Sequence, residues 1–474
     1  MSSMDSPRDS DRQTTTTKAV LIAIVAAVGG FLFGFDSSVI NGAVNAITKG
    51  FSLSPALSGF AVACALLGAA VGAWFAGPAA NRLGRVRVML IAAALFAVSS
   101  VGAALSFAVW DLIIWRILAG IGIGVASVIA PAYIAEIAPA HVRGRLASLQ
   151  QLAIVVGIFV ALLSDAYLAT TAGSAGNELW WGLKAWRWMF LVGVIPSAIY
   201  ATLALIIPES PRYLVAIGEL RRASDVLGTV LGTRSTEAIR QKVRDITASL
   251  QRERKPSLRD LRGPRLGLKP IVWVGILLSV FQQFVGINVI FYYSTTLWRA
   301  VGFSESDSLT YSVINSVVNL LSTLIAIAIV DKVGRKPLLL AGSTGMTVTL
   351  GIMAVCFSQA AGTGANVGLP QPWGTIALFA ANLFVVSFAV SWGPVVWVLL
   401  GEMFPNWLRA AALAVAAAAQ WLANFLISVT FPILAAAGLS FAYGIYALFA
   451  LLSLIFVAKA VRETKGMELE DMVA

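Results

Sequence analysis

The amino-acid sequence predicts an all-α membrane protein with twelve transmembrane helices in two pseudo-symmetric six-helix bundles and an intracellular helical insert. Three observations support this fold class. Of the 474 residues, 58% are hydrophobic and 12% are charged, whereas a soluble domain has about 25% charged residues. Twelve apolar runs are long enough to cross a bilayer, which takes about 20 residues per helix. Three short motifs also recur in the same order in the two halves of the chain.

This composition excludes a water-soluble or disordered protein, and the long apolar runs exclude a transmembrane β-barrel, whose strands alternate in polarity. Cys64 and Cys356 lie in apolar stretches, so we expect neither a disulfide framework nor a metal site. No Gly-rich loop with Gly-Lys-Ser/Thr is present, which argues against an ATP-driven pump. The net charge of +11 fits a membrane surface better than nucleic acid. We therefore expect no enzymatic activity and no cofactor.

The predicted spans divide into two groups of six. A disordered tail at 1–18 precedes the N-terminal bundle, 19–207, whose spans are 19–41, 57–80, 86–108, 111–133, 147–169 and 187–207. The C-terminal bundle, 270–460, has spans at 271–296, 309–330, 337–357, 373–400, 410–436 and 440–460. The intracellular insert covers 208–269, and a cytoplasmic C-terminal tail covers 461–474.

The insert itself is expected to contain short amphipathic helices. Ile239, Val243, Ile246 and Leu250 recur at helical spacing, and residues 219–231 show a weaker helical pattern. The tails and even-numbered loops hold 29 of the 34 Lys and Arg residues. By the positive-inside rule, both termini and the insert are cytoplasmic.

An internal repeat relates the two halves. The stretch 81–85, Asn-Arg-Leu-Gly-Arg, is echoed by 331–335, Asp-Lys-Val-Gly-Arg. Glu136 precedes Arg143 by seven residues, as Glu402 precedes Arg409, and Pro-Glu-Ser at 208–210 corresponds to Arg-Glu-Thr at 462–464. Two related six-helix halves with a central pathway are a transporter architecture.

Asp36 in span one and Arg116 in span four are the two charges that we place deep in the spans. Each costs about 2.5–3.5 kcal/mol near the middle of a membrane, so such residues pair or line a wet cavity. One interpretation is a fixed salt bridge between the two helices. The other is a proton site, in which Asp36 takes up a proton when Arg116 moves or exchanges partners.

Polar amides interrupt several spans and indicate a neutral, hydroxyl-rich ligand, because amides offer both donors and acceptors. Trp397 and Trp421 add flat apolar faces suited to a sugar ring. The alternative for any single amide is hydrogen bonding between helices, worth about 0.6 kcal/mol. The candidate amides are Gln151, Gln282, Gln283, Asn288, Asn319, Gln420 and Asn424.

Glycines within the spans predict close helix packing and a helix break. Gly29-Gly30 and the glycines at 120, 122 and 124 are expected to allow close helix packing, whereas Gly393-Pro394 predicts a break in span ten.

Arg82 and Arg85 are expected to pair with Glu136 and Glu209, and Lys332 and Arg335 with Glu402 and Glu463. With Arg143 and Arg409 these form a predicted cytoplasmic gate network that locks when the protein opens outward; simple positive-inside charge is the alternative.

The motifs resemble those of the sugar porter family of the major facilitator superfamily, most closely the bacterial proton-coupled sugar symporters. The resemblance covers nearly all of 19–466. It rests on Gly-Phe-Leu-Phe-Gly-Phe-Asp at 30–36, the repeated motifs at 81–85 and 331–335, Pro-Glu-Ser-Pro-Arg at 208–212, Gln-Gln-Phe-Val-Gly-Ile-Asn at 282–288, and the stretch from Ser-Trp-Gly-Pro at 391–394 to Gln-Trp-Leu-Ala-Asn at 420–424.

The resemblance implies roles for individual residues. Asp36 matches the proton carrier of the symporters and Arg116 its partner. Ile158 stands where the bacterial xylose symporter has a Gln and the glucose facilitators have Ile, which favours glucose. Asn81 replaces a common Asp, and Arg462 a common Pro. The matched sugar-binding and site-lining positions are Gln151, Gln282, Gln283, Asn288, Asn319, Trp397, Gln420, Phe33, Tyr292, Gly393, Trp421 and Asn424.

We therefore predict a symporter that imports a monosaccharide, with D-glucose favoured, by alternating access. It is expected to act as a monomer in the bilayer of a bacterial cytoplasmic membrane, with the proton as coupling ion. A passive sugar facilitator is the first alternative. The short tails argue against a non-transporting sugar sensor. The paired amides argue against an exporter of hydrophobic solutes.

Overall fold

A computed structural model describes residues 9–137, 143–231, 236–252, 261–265, 267–361 and 368–465. The N-terminal half contains α1 (Asp9–Gly50), α2 (Pro55–Leu83), α3 (Arg85–Leu105), α4 (Val109–Ile137), α5 (Arg143–Ala172), the antiparallel strands β1 (Glu178–Trp180) and β2 (Leu183–Lys184), α6 (Ala185–Val192) and α7 (Val194–Ile206). The insert contains α8 (Pro211–Ala216), α9 (Leu220–Leu231), α10 (Thr236–Arg252) and the short strand β3 (Arg262–Arg265).

The C-terminal half contains α11 (Pro270–Phe284), α12 (Ile287–Ala300), α13 (Glu305–Val333), α14 (Arg335–Ser358), α15 (Trp373–Ala389), α16 (Trp392–Met403), α17 (Asn406–Ala437) and α18 (Leu439–Ala460). In the described part of the chain, 12 stretches are long and apolar enough to cross a membrane. This confirms the predicted twelve-span fold. We call the side with the α2–α3 and α13–α14 junctions the basic side, and the other the opposite side.

Two predicted boundaries differ from the structure. Helix α1 continues to Gly50, beyond the predicted end of span one at residue 41, because Asn41 and Asn45 are held by hydrogen bonds to α12. Residues 9–18, expected in the disordered tail, have helical backbone, while residues 1–8 and 466–474 lie outside the described residues.

Three spans are broken helices. Span seven divides between α11 and α12 at Gly286, whose φ of 83° is a left-handed conformation that glycine adopts without steric cost. Span ten divides at Val390 and Ser391, just before the predicted Gly393-Pro394 break. Pro394 itself lies in the first turn of α16, where its missing N–H costs no intrahelical hydrogen bond. Span six divides at Gly193.

Small residues bring helices close together, as predicted. A Cβ at Gly120 would collide with the carbonyl of Ala65 on α2, and one at Gly34 with the carbonyl of Ile154 on α5. These contacts place α4 against α2 and α1 against α5, which positions Arg116 and Asp36 in the interior of the N-terminal half.

The helices of the insert form a small core of their own. Leu214 of α8 and Ala223 of α9 are buried, and Val243, Ile246 and Leu250 of α10 pack on this cluster. The predicted amphipathic face is thus confirmed for these three residues of α10.

Candidate functional site

The predicted ion pair forms in the interior of the N-terminal half. Asp36 and Arg116 are 4% and 2% exposed. One guanidinium nitrogen of Arg116, Nη1, donates to both Asp36 oxygens at 3.3 and 3.4 Å, and Nη2 donates to the Val62 carbonyl at 3.2 Å. Charged hydrogen bonds of this kind are usually about 2.7–2.9 Å long. The distances in this pair are therefore long, and only one guanidinium nitrogen contacts the carboxylate. This geometry suits exchange of partners better than a fixed salt bridge.

A narrow cavity adjoins this pair. Its walls include Asp36 and Arg116 together with Phe33 and Tyr292, two of the positions expected to line the ligand site. Phe33 and Asp36 lie on α1, Arg116 on α4 and Tyr292 on α12, so both halves of the protein contribute. The predicted proton site and the predicted ligand site are thus adjacent.

The amides at the break in span seven form a connected chain. Asn288 Nδ2 donates to Gln283 Oε1 at 2.5 Å, and Gln283 Nε2 donates to Gln282 Oε1 at 3.4 Å. Gln282 Nε2 in turn donates to the carbonyls of Trp392 and Gly393 at 2.9 and 3.3 Å. The chain ends at the first turn of α16, so it joins the broken region of span seven to that of span ten.

The structure places the other predicted ligand residues on α5, α13, α16 and α17. Asn424 Nδ2 lies 3.5 Å from the Tyr292 hydroxyl, and the Trp421 ring makes an edge contact with Phe33 at 5.5 Å between centroids. Gln420 Oε1 is buried, and no group in the described part of the chain donates a hydrogen bond to it. Asn319 is buried, Gln151 is partly exposed, and Trp397 is exposed.

Two of the predicted ion pairs form, with nearly the same geometry in each half. Arg85 binds Glu136 through Nε at 3.0 Å and Nη2 at 2.8 Å. Arg335 binds Glu402 through Nε at 3.1 Å and Nη2 at 2.8 Å. Ser210 and Thr464 donate to Glu136 and Glu402, respectively. The sequence repeat is therefore a structural repeat, and these two ion pairs each lie within one half.

Other members of the network bind backbone groups. Glu209, expected to pair with Arg82 or Arg85, accepts instead from the backbone N–H groups of Arg85 and Val86. The side chains of Arg82 and Lys332 are exposed. Arg409 donates to the Phe404 carbonyl. The side chain of Arg143 lies outside the described residues.

Glu463, just after α18, is expected to make the stability of the folded protein depend on pH. Partial burial opposes its ionisation, but the backbone N–H groups of Lys465, Arg335, Lys336 and Thr464 donate to the carboxylate and hold its pKa below the ordinary value of 4.5. A carboxyl whose pKa is lowered by folding stabilises the protein above its unfolded pKa. That stabilisation is lost as the pH falls through the folded value.

We accordingly expect Glu463→Gln to lower the thermal unfolding midpoint in detergent at neutral pH. The difference from wild type should shrink as the pH falls below about 4.5, the ordinary pKa of this group. Glu237→Gln, which changes an exposed glutamate of the insert, is the matched control. A difference that stays constant down to about pH 3 would contradict this role.

Hydrogen bonds join the two halves on the opposite side. The Thr295 hydroxyl has one proton to donate, and both the backbone carbonyl of Asn41 (2.6 Å) and its Oδ1 (3.0 Å) lie within reach of it; Asn41 Nδ2 donates to Ser312 Oγ at 3.2 Å. Thr296 donates to Asn45 Oδ1 at 3.2 Å. The halves therefore close against each other on this side.

Glu305, at the start of α13, also joins the two halves on this side, and we call its contacts the latch. Its carboxylate accepts from the Ala175 N–H at 2.8 Å and from Ser174 Oγ, both in the N-terminal half, and from Arg299 at 3.0 Å. We expect Glu305→Gln to shift the protein toward opening on the opposite side. Weakening these bonds by about 1 kcal/mol would change the equilibrium roughly fivefold.

The opening can be measured by adding Ser312→Cys, since Ser312 is buried at the contact with Asn41. Glu305→Gln should raise the labelling rate of this cysteine by a membrane-impermeant maleimide several-fold. Asp307→Asn, an exposed acid of the same helical turn, is the control. Equal labelling rates in the two variants would rule out the latch.

Asp165, near the end of α5, is a fully buried carboxyl that was not among the predicted site residues. Its signal was visible as a lone carboxyl in the apolar run at 147–169, but no residue of opposite charge drew attention to it. Asn41 and Glu305 were also missed, because their partners lie in the other half of the chain.

Comparison with known proteins identifies the family of the chain. Residues 22–474 match the family model described as sugar (and other) transporter. A glucose transport protein of Synechocystis is 55% identical over 98% of this chain and 100% of its own length. The D-xylose-proton symporter of Escherichia coli is 39% identical over 96% and 94%, respectively.

A solved structure shows the same architecture. The partially occluded inward-open conformation of the xylose transporter XylE from E. coli superposes with a TM-score of 0.81 and 36% identity, covering 95% of this chain and 100% of that one. The contacts on the opposite side of the present structure, with Asn41 and Glu305 bridging the halves, fit a state closed on that side.

Proposed function

The chain belongs to the sugar transporter family of the major facilitator superfamily, and from this premise we propose that it is a proton-coupled symporter that imports a monosaccharide, with D-glucose favoured. It is a multi-pass membrane transporter and not an enzyme, and proton-coupled transport in this family needs no cofactor. The basic side is cytoplasmic under this proposal, as the positive-inside rule requires. The protein acts as a monomer in the cytoplasmic membrane.

One observation carries the proposal: the Asp36–Arg116 pair and the ligand-site residues Phe33 and Tyr292 share one cavity. A proton that neutralises Asp36 releases Arg116, whose Nη1 holds the carboxylate and whose Nη2 holds α2 through Val62. Because α1 and α12 belong to different halves, a rearrangement here alters the contact between them. Proton binding and sugar binding can thereby favour the same conformational change.

The ligand side of the proposal rests on neutral groups. The chain from Asn288 through Gln283 to Gln282 presents amides, which suit hydroxyls and do not require an ionised substrate. Gln282 also binds carbonyls at the start of α16, so a sugar that engages these amides acts on the breaks of spans seven and ten. Ile158 adds an apolar side chain where the xylose symporter has an amide, which favours a hexose.

Transport by purified protein in proteoliposomes tests the function. With a pH gradient that is acidic outside, radiolabelled D-glucose should accumulate above its external concentration, and a protonophore should abolish the accumulation. Inhibition of this uptake by unlabelled D-xylose, D-galactose and L-arabinose ranks the preference for these sugars. Uptake that only equilibrates, with or without the gradient, would establish a passive facilitator, and absence of any uptake would leave a sensor.

A further inference from the structure

Asp165 is a buried carboxyl that the proposed mechanism does not use. Its side chain is 0% exposed, near the end of α5 on the opposite side. Oδ2 accepts a hydrogen bond from the backbone N–H of Gly42 at 3.2 Å, and Oδ1 is buried with no hydrogen-bond partner among the described residues. The surrounding packing is tight, since a Cβ at Gly42 would lie 2.7 Å from the Asp165 side chain. The group therefore lies in a tightly packed interior, and the Gly42 N–H is its one donor within the described ranges of the chain.

No described charge compensates it from the helices on the N-terminal side. On α1, Asp36 is paired with Arg116 of α4, and Lys49 is exposed. The other charges of α4 are also engaged elsewhere, Asp111 with Trp115 and Glu136 with Arg85. On α6, Arg187 donates to the Ala104 carbonyl.

The same holds for the other elements packed on α5. On α13, Glu305 is bound to Arg299, while Asp307 and Lys332 are exposed and Tyr311 is partly exposed. On β1, Glu178 is exposed. Among the described residues, none forms an ion pair with Asp165.

An ionised carboxylate in such a place is strongly unfavourable, because an unpaired charge loses its hydration on burial. A protonated carboxyl avoids this cost, and it keeps an oxygen that can accept from the Gly42 N–H. We infer that Asp165 is a second proton-binding site, separate from Asp36, that holds its proton while the opposite side is closed.

The position of Asp165 connects the proton to the conformation. Gly42 directly follows Asn41, whose side chain joins the halves through Thr295 and Ser312. When these contacts separate, water reaches this segment of α1, and the free-energy cost of ionising a carboxyl there falls. Protonation of Asp165 therefore favours closure of the opposite side, and a proton taken up there helps to turn the binding site toward the basic side.

Infrared spectroscopy of the purified full-length protein tests the inference directly. The carbonyl stretch of a protonated carboxylic acid should be present in wild type at neutral pH and lost in Asp165→Asn. Asp225→Asn, which changes an exposed acid of α9, should leave the spectrum unchanged in that region. Identical spectra of wild type and Asp165→Asn would overturn the inference. Asp165→Ser provides a second neutral variant should Asn fail to fold.

The conformational role has its own readout. In the Asp36→Asn background, the labelling rate of Ser312→Cys is divided at each pH by the rate of a small free thiol, because maleimide reacts with the thiolate and the thiolate fraction itself falls with pH. This ratio should still fall as the pH is lowered, because protonated Asp165 favours closure. Addition of Asp165→Asn should remove this dependence and leave the ratio constant within about twofold; a dependence that persists would overturn the role. Neither measurement uses sugar or a proton gradient, so failure here is distinguishable from failure of the proposed symport.

Discussion

Asp36→Asn is expected to abolish sugar accumulation while sugar exchange across the membrane continues. Movement of one proton down a potential of 100 mV releases about 2.3 kcal/mol, enough to concentrate a neutral sugar roughly fiftyfold. Asn keeps the shape of Asp36 and can accept from Arg116 Nη1, but it cannot carry a proton. The coupling should be lost, and the internal sugar should reach only the external concentration.

The measurement compares two assays on the same proteoliposomes. Uphill uptake under a pH gradient should fall to the equilibrium level, whereas counterflow of labelled sugar against unlabelled sugar should persist. Asp225→Asn, an exposed acid of α9, should behave as wild type in both. Accumulation that survives in Asp36→Asn would leave Asp36 as a structural partner of Arg116.

A second variant guards against misfolding. Removal of one member of a buried ion pair costs about 3–5 kcal/mol, because the other charge is left uncompensated. Asp36→Asn/Arg116→Gln removes both charges and should restore stability without restoring accumulation. Recovery of accumulation in the double variant would place the coupling proton elsewhere, with Asp165 the first group to examine.

The membrane spans could be predicted because hydrophobicity is a local property of the chain. The break at Gly286 was not predicted, although a glycine between the amides of span seven was a signal for it. The break in span ten was expected at Gly393-Pro394, yet the helix divides at 390–391. Proline at the start of a helix is tolerated, so the chain bends just before it.

Contacts between distant segments could not be read in the same way. The sequence indicated Asp36 and Arg116 because their opposite charges suggested a pair, and it passed over Asp165, which has no such partner. The bond from Gln282 to the Trp392 carbonyl and the latch at Glu305 depend on how separate helices approach each other. Such approaches follow from tertiary packing, on which local patterns carry little information.

Gln283→Ala is expected to weaken sugar binding by roughly 10- to 100-fold, which corresponds to about 1.5–3 kcal/mol. Gln283 occupies the centre of the amide chain, so its removal deletes one ligand contact and also releases Asn288, whose Nδ2 it holds at 2.5 Å. Asn288→Ala should have a similar effect.

Because the two amides act as a unit, the double variant should lose less than the sum of the single losses, by at least about 0.5 kcal/mol. Equilibrium binding of labelled D-glucose to purified protein measures all three variants, and Gln359→Ala, at an exposed helix end, is the control. Unchanged affinity in Gln283→Ala would show that the amides only join helices. Strictly additive losses would mean that each amide contacts the sugar independently, and the hydrogen bond between them would then have no part in arranging the site.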